Sequence, residues 1–187
     1  MTDKRLSEIL QGITIIIDSR EHEGKHDHIT NYFDSKKVKY TYGKLDFADY
    51  SFISPAIPEF GFPEPIMFDK RIVVERKFGL SELCGNVLNR KDAEGKRKNE
   101  RDRLEREFQR ASEVKAKFNV MVEDGSFDKI LTHQYRSETD PKSFYATLFT
   151  FDARYNAYVQ FVERQNAGWF IYNKFRYFLR EEIKNLA

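Results

Sequence analysis

Apolar residues recur along the chain in two rhythms, strand-like runs in the first half and helical spacing in the second. After a short polar lead, Ile13-Thr14-Ile15-Ile16-Ile17 is an apolar run that predicts a buried strand closing on Asp18-Ser19-Arg20-Glu21. The polar stretch 22–28, with Gly24, reads as a loop, and 29–33 as a short helix. Residues 38–42 alternate and predict a second strand; Gly43 turns the chain into a third segment, 45–53. Residues 54–65 hold four of the five prolines and predict an irregular connection. Ile66-Met67-Phe68 and the run 72–77 flank Asp69-Lys70-Arg71, the pattern of a hairpin.

Beyond Gly79 the spacing turns helical. Leu80, Leu83, Val87 and Leu88 predict one helix, and 89–99, charged and containing Gly95, predicts a mobile loop. Leu104, Phe108, Ala111, Val114 and Phe118 form a narrow stripe that predicts a helix over 100–117. Val120-Met121-Val122 reads as a buried strand, 127–131 and 143–155 as helices, 158–162 as a strand and 169–183 as a final helix. Strands mixed with helices, and a helix-rich second half, indicate a single α/β domain over residues 1–187.

Composition narrows the class. With 40% hydrophobic residues, 187 residues can bury a core, and a net charge of +2 against 33% charged residues requires any basic footprint to be local. One thiol, Cys84, excludes an internal disulfide framework and a CxxC zinc site, and it reads as a buried, inert residue. No apolar run is long enough for a membrane span or a signal core, so the expected location is intracellular, the cytoplasm.

The chemistry concentrates at strand ends. In the run 72–77 side chains alternate faces, so Glu75 and Lys77 point the same way. A carboxylate and an ammonium on an otherwise apolar strand cost free energy unless they are partnered. A structural ion pair is one explanation. The other is that Glu75 binds a metal ion while Lys77 orients water or balances phosphate charge, which needs a second carboxylate from a neighbouring strand. Asp49, at the head of 49–53, can supply it. Such hard oxygen ligands suit Mg²⁺, which would stabilise charge at a phosphate under attack and lower the pKa of the attacking water. A third acidic centre, Asp18 with Glu21, closes the first strand; the alternatives are a turn-former and a solvated charge.

Residues 15–21 (I-I-I-D-S-R-E), Ala48-Asp49-Tyr50 and Val74-Glu75-Arg76-Lys77 together resemble the three signatures of the XPF family of structure-specific endonucleases. Those signatures are a hydrophobic strand ending D-x-R-E, a G-D-Y/F strand, and V/I-E-R-K-x-x-x-D. The helix 101–108 is similar to the one after the family's catalytic strand, Val120-Met121-Val122-Glu123 resembles its next core strand, and the likeness covers about 13–125. It implies a restriction-endonuclease-like core with a central mixed sheet flanked by helices (about 13–125) and a helical C-terminal part (about 126–187). It also implies dependence on Mg²⁺ or Mn²⁺, cleavage of branched double-stranded DNA (flaps, forks or four-way Holliday junctions) in recombination, repair or replication, and suggests a homodimer. Carried over, Asp49 and Glu75 are the metal ligands and Lys77 the base-side group; Asp18, Arg20 and Glu21 line the site and Arg76 holds it together. Two positions depart from the pattern. The family's last Asp is Ser81, its role absent or moved to Glu82, and the family's Gly is Ala48, which argues against a positive φ there. No segment resembles the family's helix-hairpin-helix or helicase modules, so compact phage and prokaryotic members are the nearer comparison, a phage member acting in its host's cytoplasm. A catalytically silent DNA-binding partner subunit is the alternative.

Three other signals compete. His22-Glu23-Gly24-Lys25-His26 fits H-E-x-x-H, but zinc protease chemistry needs both imidazoles on one helix turn, Gly24 opposes a helix and no third ligand is evident; these histidines and His28 read as a solvated loop. Arg90, Lys91, Lys96, Arg97, Lys98, Arg101 and Arg103 can track a DNA backbone, with Lys91, Lys96, Arg97 and Lys98 the nearer candidates, or form a charged helix surface with Glu100, Glu105 and Glu107. Among the C-terminal aromatics, Phe144, Phe149, Phe175 and Phe178 read as core. Tyr155, Tyr158 and Tyr172 are candidates for a dimer face or base stacking.

Overall fold

A computed structural model describes residues 2–21, 24–87 and 100–186, with Glu100 as backbone only. The expected loop at 89–99 therefore lies outside the described residues. In chain order the elements begin α1 (Asp3–Gln11), β1 (Thr14–Asp18), α2 (Asp27–Lys36), β2 (Lys39–Gly43), β3 (Tyr50–Ser54), β4 (Ile66–Met67) and β5 (Ile72–Lys77). They continue α3 (Leu80–Val87), α4 (Glu100–Glu113), β6 (Lys117–Glu123), α5 (Phe127–Leu131), α6 (Pro141–Tyr155), β7 (Ala157–Val162) and α7 (Ala167–Leu186). The class is α/β with mixed strand pairing. Contacts divide the chain into two compact units, one of residues up to Val74 with those from Gln165 on, the other of Glu75–Arg164, and β5 runs through the boundary.

In the first unit β1 pairs in parallel with β2 and antiparallel with β3, matching the fully apolar run that predicted it. β3 takes β4 at its far end (Ile53↔Met67) and β5 at its near end (Tyr50↔Val74), both antiparallel. Residues 66–74 thus run in one direction along β3, interrupted, and do not form the expected hairpin. The Phe68 N–H still donates to the Phe52 C=O at 2.9 Å, and Phe68 accepts from Arg71 and Ile72, so Asp69-Lys70-Arg71 bulges out without reversing the chain. The aromatic core forms where Phe52 meets Phe68 (centroids 4.6 Å) and Phe175 of α7 (5.2 Å). At Gly168 a Cβ would lie 2.7 Å from Tyr32 of α2, so only glycine permits this approach of the two helices. The polar lead is a helix, α1: the Thr2 hydroxyl caps it by accepting from the Arg5 N–H, and Ile9 and Leu10 are buried.

The segment expected as strand over 45–53 becomes strand only at Tyr50, because Ala48 turns left-handed with φ +61°. The sequence-based expectation for Ala48 is corrected: a residue with a Cβ occupies a conformation that glycine takes without penalty. Ala48→Gly is expected to raise stability by roughly 0.5–1 kcal/mol, relief of strain outweighing the entropy of the unfolded glycine. Denaturant titration would show it as a higher midpoint at constant slope; a lower midpoint would contradict the strain.

In the second unit the end of β5 lies beside β6, and β6 pairs in parallel with β7 from Phe118↔Ala157 to Glu123↔Val162. Leu104, Phe108 and Ala111 of α4 are buried, and the Phe108 ring meets Phe118 at 4.8 Å and Phe151 at 5.3 Å. The helix ends at Glu113 rather than 117, closed by left-handed Lys115 and the Ala116 N–H to the Ala111 C=O, which leaves Val114 exposed and starts Phe118 on a strand. Two aromatic assignments change. Phe149 is exposed rather than core, and Tyr155 is buried with its hydroxyl donating to Glu105 at 2.7 Å, so it is not a surface stacking residue.

Candidate active site

The end of β1 is fastened to the loop that leads into β3. The Asp18 N–H donates to the Asp49 C=O at 2.7 Å, and the Asp49 N–H donates to the Val74 C=O at 3.1 Å. Asp49 therefore ties β1 to the strand whose next residue is Glu75. The Asp18 side chain is buried and both its oxygens are engaged. Oδ1 accepts from the Arg20 N–H (2.8 Å) and Nε (2.7 Å); Oδ2 accepts from Arg20 Nη2 (3.0 Å) and the Leu45 N–H (2.7 Å). Arg20 also donates to the Leu45 C=O at 2.9 Å. Burial alone would push the Asp18 carboxyl up, but the hydrogen bonds from Arg20 and Leu45 outweigh it and hold it below the usual carboxylate range. Asp18 and Arg20 thus shape the loop that presents half-buried Asp49.

That shift fixes a sign. A depressed folded pKa stabilises above the ordinary carboxylate pKa, and the contribution disappears as pH falls through the folded value. Asp18→Ala is expected to cost about 2 kcal/mol at pH 7, since the buried Leu45 N–H loses its acceptor, and less near pH 2. Unfolding curves at the two pH values check this; an equal deficit at both would contradict it.

Glu21 stands 3.8 Å from His26 Nδ1, and His26 Nε2 lies 3.1 Å from the Tyr42 hydroxyl. His26 is buried, not solvated as the sequence suggested, and it precedes α2 as a non-helical cap residue. The helical turn that H-E-x-x-H chemistry requires is therefore not present at Gly24–His26; His22 and Glu23 lie outside the described residues.

At the end of β5 every side chain is buried, charged ones included. Lys77 Nζ donates to Glu75 Oε1 at 2.6 Å, with the side chains only 2% and 4% exposed. Lys77 also lies 4.0 Å from Glu82 Oε1, while Glu82 Oε2 accepts the Phe78 N–H at 2.8 Å. Glu82 thus closes the turn that follows β5, whereas the Ser81 hydroxyl accepts from the Arg136 N–H at 2.9 Å and fastens a loop. Strand alternation turns Arg76 away from Glu75, to pair with buried Glu123 of β6 at 3.3 Å.

Sequence reading missed Glu107. From α4 it reaches the field of the Glu75–Lys77 pair: burial, then the Glu75 charge, raise its carboxyl, against Arg103, Lys77 and Arg110. Its spacing was the available signal, since three residues after Leu104 and four before Ala111 it borders the buried stripe. Of the basic run, Lys91, Lys96, Arg97 and Lys98 lie outside the described residues; Arg101 is 3.7 Å from Glu105.

Asp18, Arg20, Glu21 and Asp49 belong to the first unit, and Glu75, Arg76 and Lys77 to the second. Among the described residues no group of three or more His, Cys, Asp or Glu gathers as a closed metal cage. Asp49 and Glu75 each offer hard carboxylate oxygens, the donor type that Mg²⁺ takes, not the thiolate and imidazole donors of a structural zinc.

The ERCC4 domain family matches residues 17–171. None of the curated proteins compared matches significantly. The chain is similar in fold to XPF from Aeropyrum pernix, with a TM-score of 0.59, 18% identity, and coverage of 92% of this chain and 69% of that one. For XPF from Aeropyrum pernix in complex with DNA the TM-score is 0.59 at 16% identity, covering 90% of this chain and 66% of that one. The fold is accordingly the restriction-endonuclease-like α/β arrangement that the sequence led us to expect.

Proposed function

The chain belongs to the ERCC4 domain family, and on that premise we propose that it is a metal-dependent DNA endonuclease that hydrolyses phosphodiester bonds in branched duplexes. The observation that carries this reading is the buried Glu75–Lys77 pair at 2.6 Å on the end of β5. A pair so thoroughly desolvated is weak as a stabilising device, because its desolvation cost offsets most of the Coulomb attraction. It makes sense where a carboxylate and an ammonium must be held in one orientation for chemistry.

Glu75 and Asp49 would hold Mg²⁺ or Mn²⁺, which when bound supplies charge stabilisation at the phosphate and a more acidic water. Lys77 fixes the Glu75 carboxylate and brings positive charge to where negative charge builds on the scissile phosphate. Asp18 and Arg20 set the loop that carries Asp49, and the Arg76–Glu123 pair anchors the back of β5. DNA as the substrate is supported by the DNA-bound structure of similar fold. Branched DNA is favoured because a duplex that opens at a branch presents its scissile phosphate at lower deformation cost than uninterrupted duplex. An intracellular place of action and assembly as a homodimer accompany the proposal; among the described residues no helix is long and apolar enough to cross a membrane. A silent subunit would have no need of the acidic and basic groups that Asp49, Glu75 and Lys77 retain. The test is cleavage of labelled branched DNA by the wild-type and Glu75→Gln proteins; cutting that survives the substitution rejects the reading.

A further inference from the structure

Within the first unit, α1 and α7 enclose a cleft of about 240 Å³ lined by Asp3, Leu6, Ser7, Leu10, Arg176, Tyr177 and Arg180. Its two arginines are forked donors suited to phosphate oxygens. Among the described residues the Arg176 Nε is buried without a hydrogen-bond acceptor, and its Nη1 has a long contact of 3.5 Å to Asn173. Arg180 lies 4.0 Å from Glu181, a carboxylate that Lys184 holds more closely at 2.9 Å. A buried guanidinium N–H lacking an acceptor is unfavourable in isolation and suits an arriving anion. Two arginines against Asp3 leave the lining with one net positive charge, which matches a phosphodiester. Leu6, Leu10 and the Tyr177 ring add apolar walls, which suit a ligand that carries a planar apolar part beside its anion.

The rest of the α7 surface points the same way. Rings and cations alternate along it: Lys174 lies over Phe170 at 5.8 Å, Arg176 over Tyr172 at 5.2 Å and Arg180 over Tyr177 at 5.9 Å. Trp169 and Tyr177 are both more than half exposed, at 55% and 57%. Rings for stacking combined with cations for the backbone are the elements of single-strand recognition. Drug-sized pockets begin at about 300 Å³, so this cleft takes one nucleotide unit rather than a length of duplex.

We propose that the α1–α7 cleft binds one nucleotide of a single-stranded DNA segment, its phosphate on Arg176 and Arg180 and its base against Tyr177. The proposal rests on the reading of DNA as substrate and adds to it a site for the unpaired strand that a branch exposes. Backbone NMR of the full chain in chelator, titrated with a short oligothymidylate and separately with inorganic phosphate, tests it. The oligonucleotide is expected to shift amides of Leu6, Ser7, Arg176, Tyr177 and Arg180, and inorganic phosphate to shift them more weakly. Arg176→Gln with Arg180→Gln should weaken oligonucleotide binding at least tenfold and flatten its salt dependence, and Tyr177→Ala should weaken it about fivefold or more. Junction DNA shifting other amides while these stay still would overturn the cleft and leave the nuclease reading standing. Equal shifts from inorganic phosphate, with Tyr177→Ala without effect, would reduce the site to a free-anion site and overturn the nucleotide assignment. No binding of any DNA by the wild type would overturn both.

Discussion

Glu75→Gln is expected to bind branched DNA as tightly as the wild type, or slightly more tightly, and to cut it at least about a thousandfold more slowly. The substitution keeps the shape and a hydrogen-bond acceptor for Lys77, which bonds Glu75 at 2.6 Å, so the end of β5 should hold its geometry. What it removes is the negative oxygen that a hard cation requires, and removal of one such group from a preorganised site costs several powers of ten in rate. Affinity should not suffer, because an anionic carboxylate facing a phosphate repels it. Single-turnover cleavage and a binding titration on the same labelled junction separate the two effects. A variant that loses binding and cutting in proportion would make Glu75 a structural residue.

The largest effect on stability is expected behind the site. Arg76→Met would leave the Glu123 carboxylate, 0% exposed, without its guanidinium partner at 3.3 Å. Breaking one side of a buried pair costs about 3–5 kcal/mol, mostly the penalty of the remaining charge. For a chain of this size that lowers Tm by roughly 10 °C. Changing both residues, Arg76→Met with Glu123→Leu, should recover most of the loss, since apolar replacements of a buried pair are often neutral. Thermal unfolding of the wild type, the single and the double variant measures this directly. A single variant as stable as the wild type would remove Arg76 as the anchor of β5.

What the sequence revealed and what it hid follow from range. Ile15-Ile16-Ile17 and Val73-Val74 are continuous apolar runs, and Leu104, Phe108 and Ala111 keep helical spacing, so β1, β5 and α4 were legible from neighbours alone. Helix α1 was not, because its buried contribution is only Ile9 and Leu10 and its cap is the single hydroxyl of Thr2. The 66–77 hairpin failed because Asp69-Lys70-Arg71 carries turn-like polarity while the β3 ladder, a long-range feature, keeps both flanks running one way. At Ala48 residue type predicted backbone angle wrongly, since the hydrogen bonds from Asp18 to Asp49 and Asp49 to Val74 impose the left-handed turn. In the candidate site, the adjacency of Glu75 and Lys77 followed from strand alternation, but the full engagement of Asp18 by Arg20 and Leu45 did not. Nor did Glu107, whose approach to Glu75 depends on how α4 packs.

The most direct measurement is a cleavage time course on labelled fork, flap, four-way junction and linear duplex of one sequence, at fixed Mg²⁺ and moderate salt, with parallel reactions in excess chelator. Moderate salt matters because low salt inflates non-specific binding to every substrate. Faster cutting of the branched DNAs than of linear duplex, with no cutting in chelator, is the predicted result. Undiminished cutting after removal of all divalent ions, or wild-type protein that binds these DNAs and cuts none of them, would contradict it.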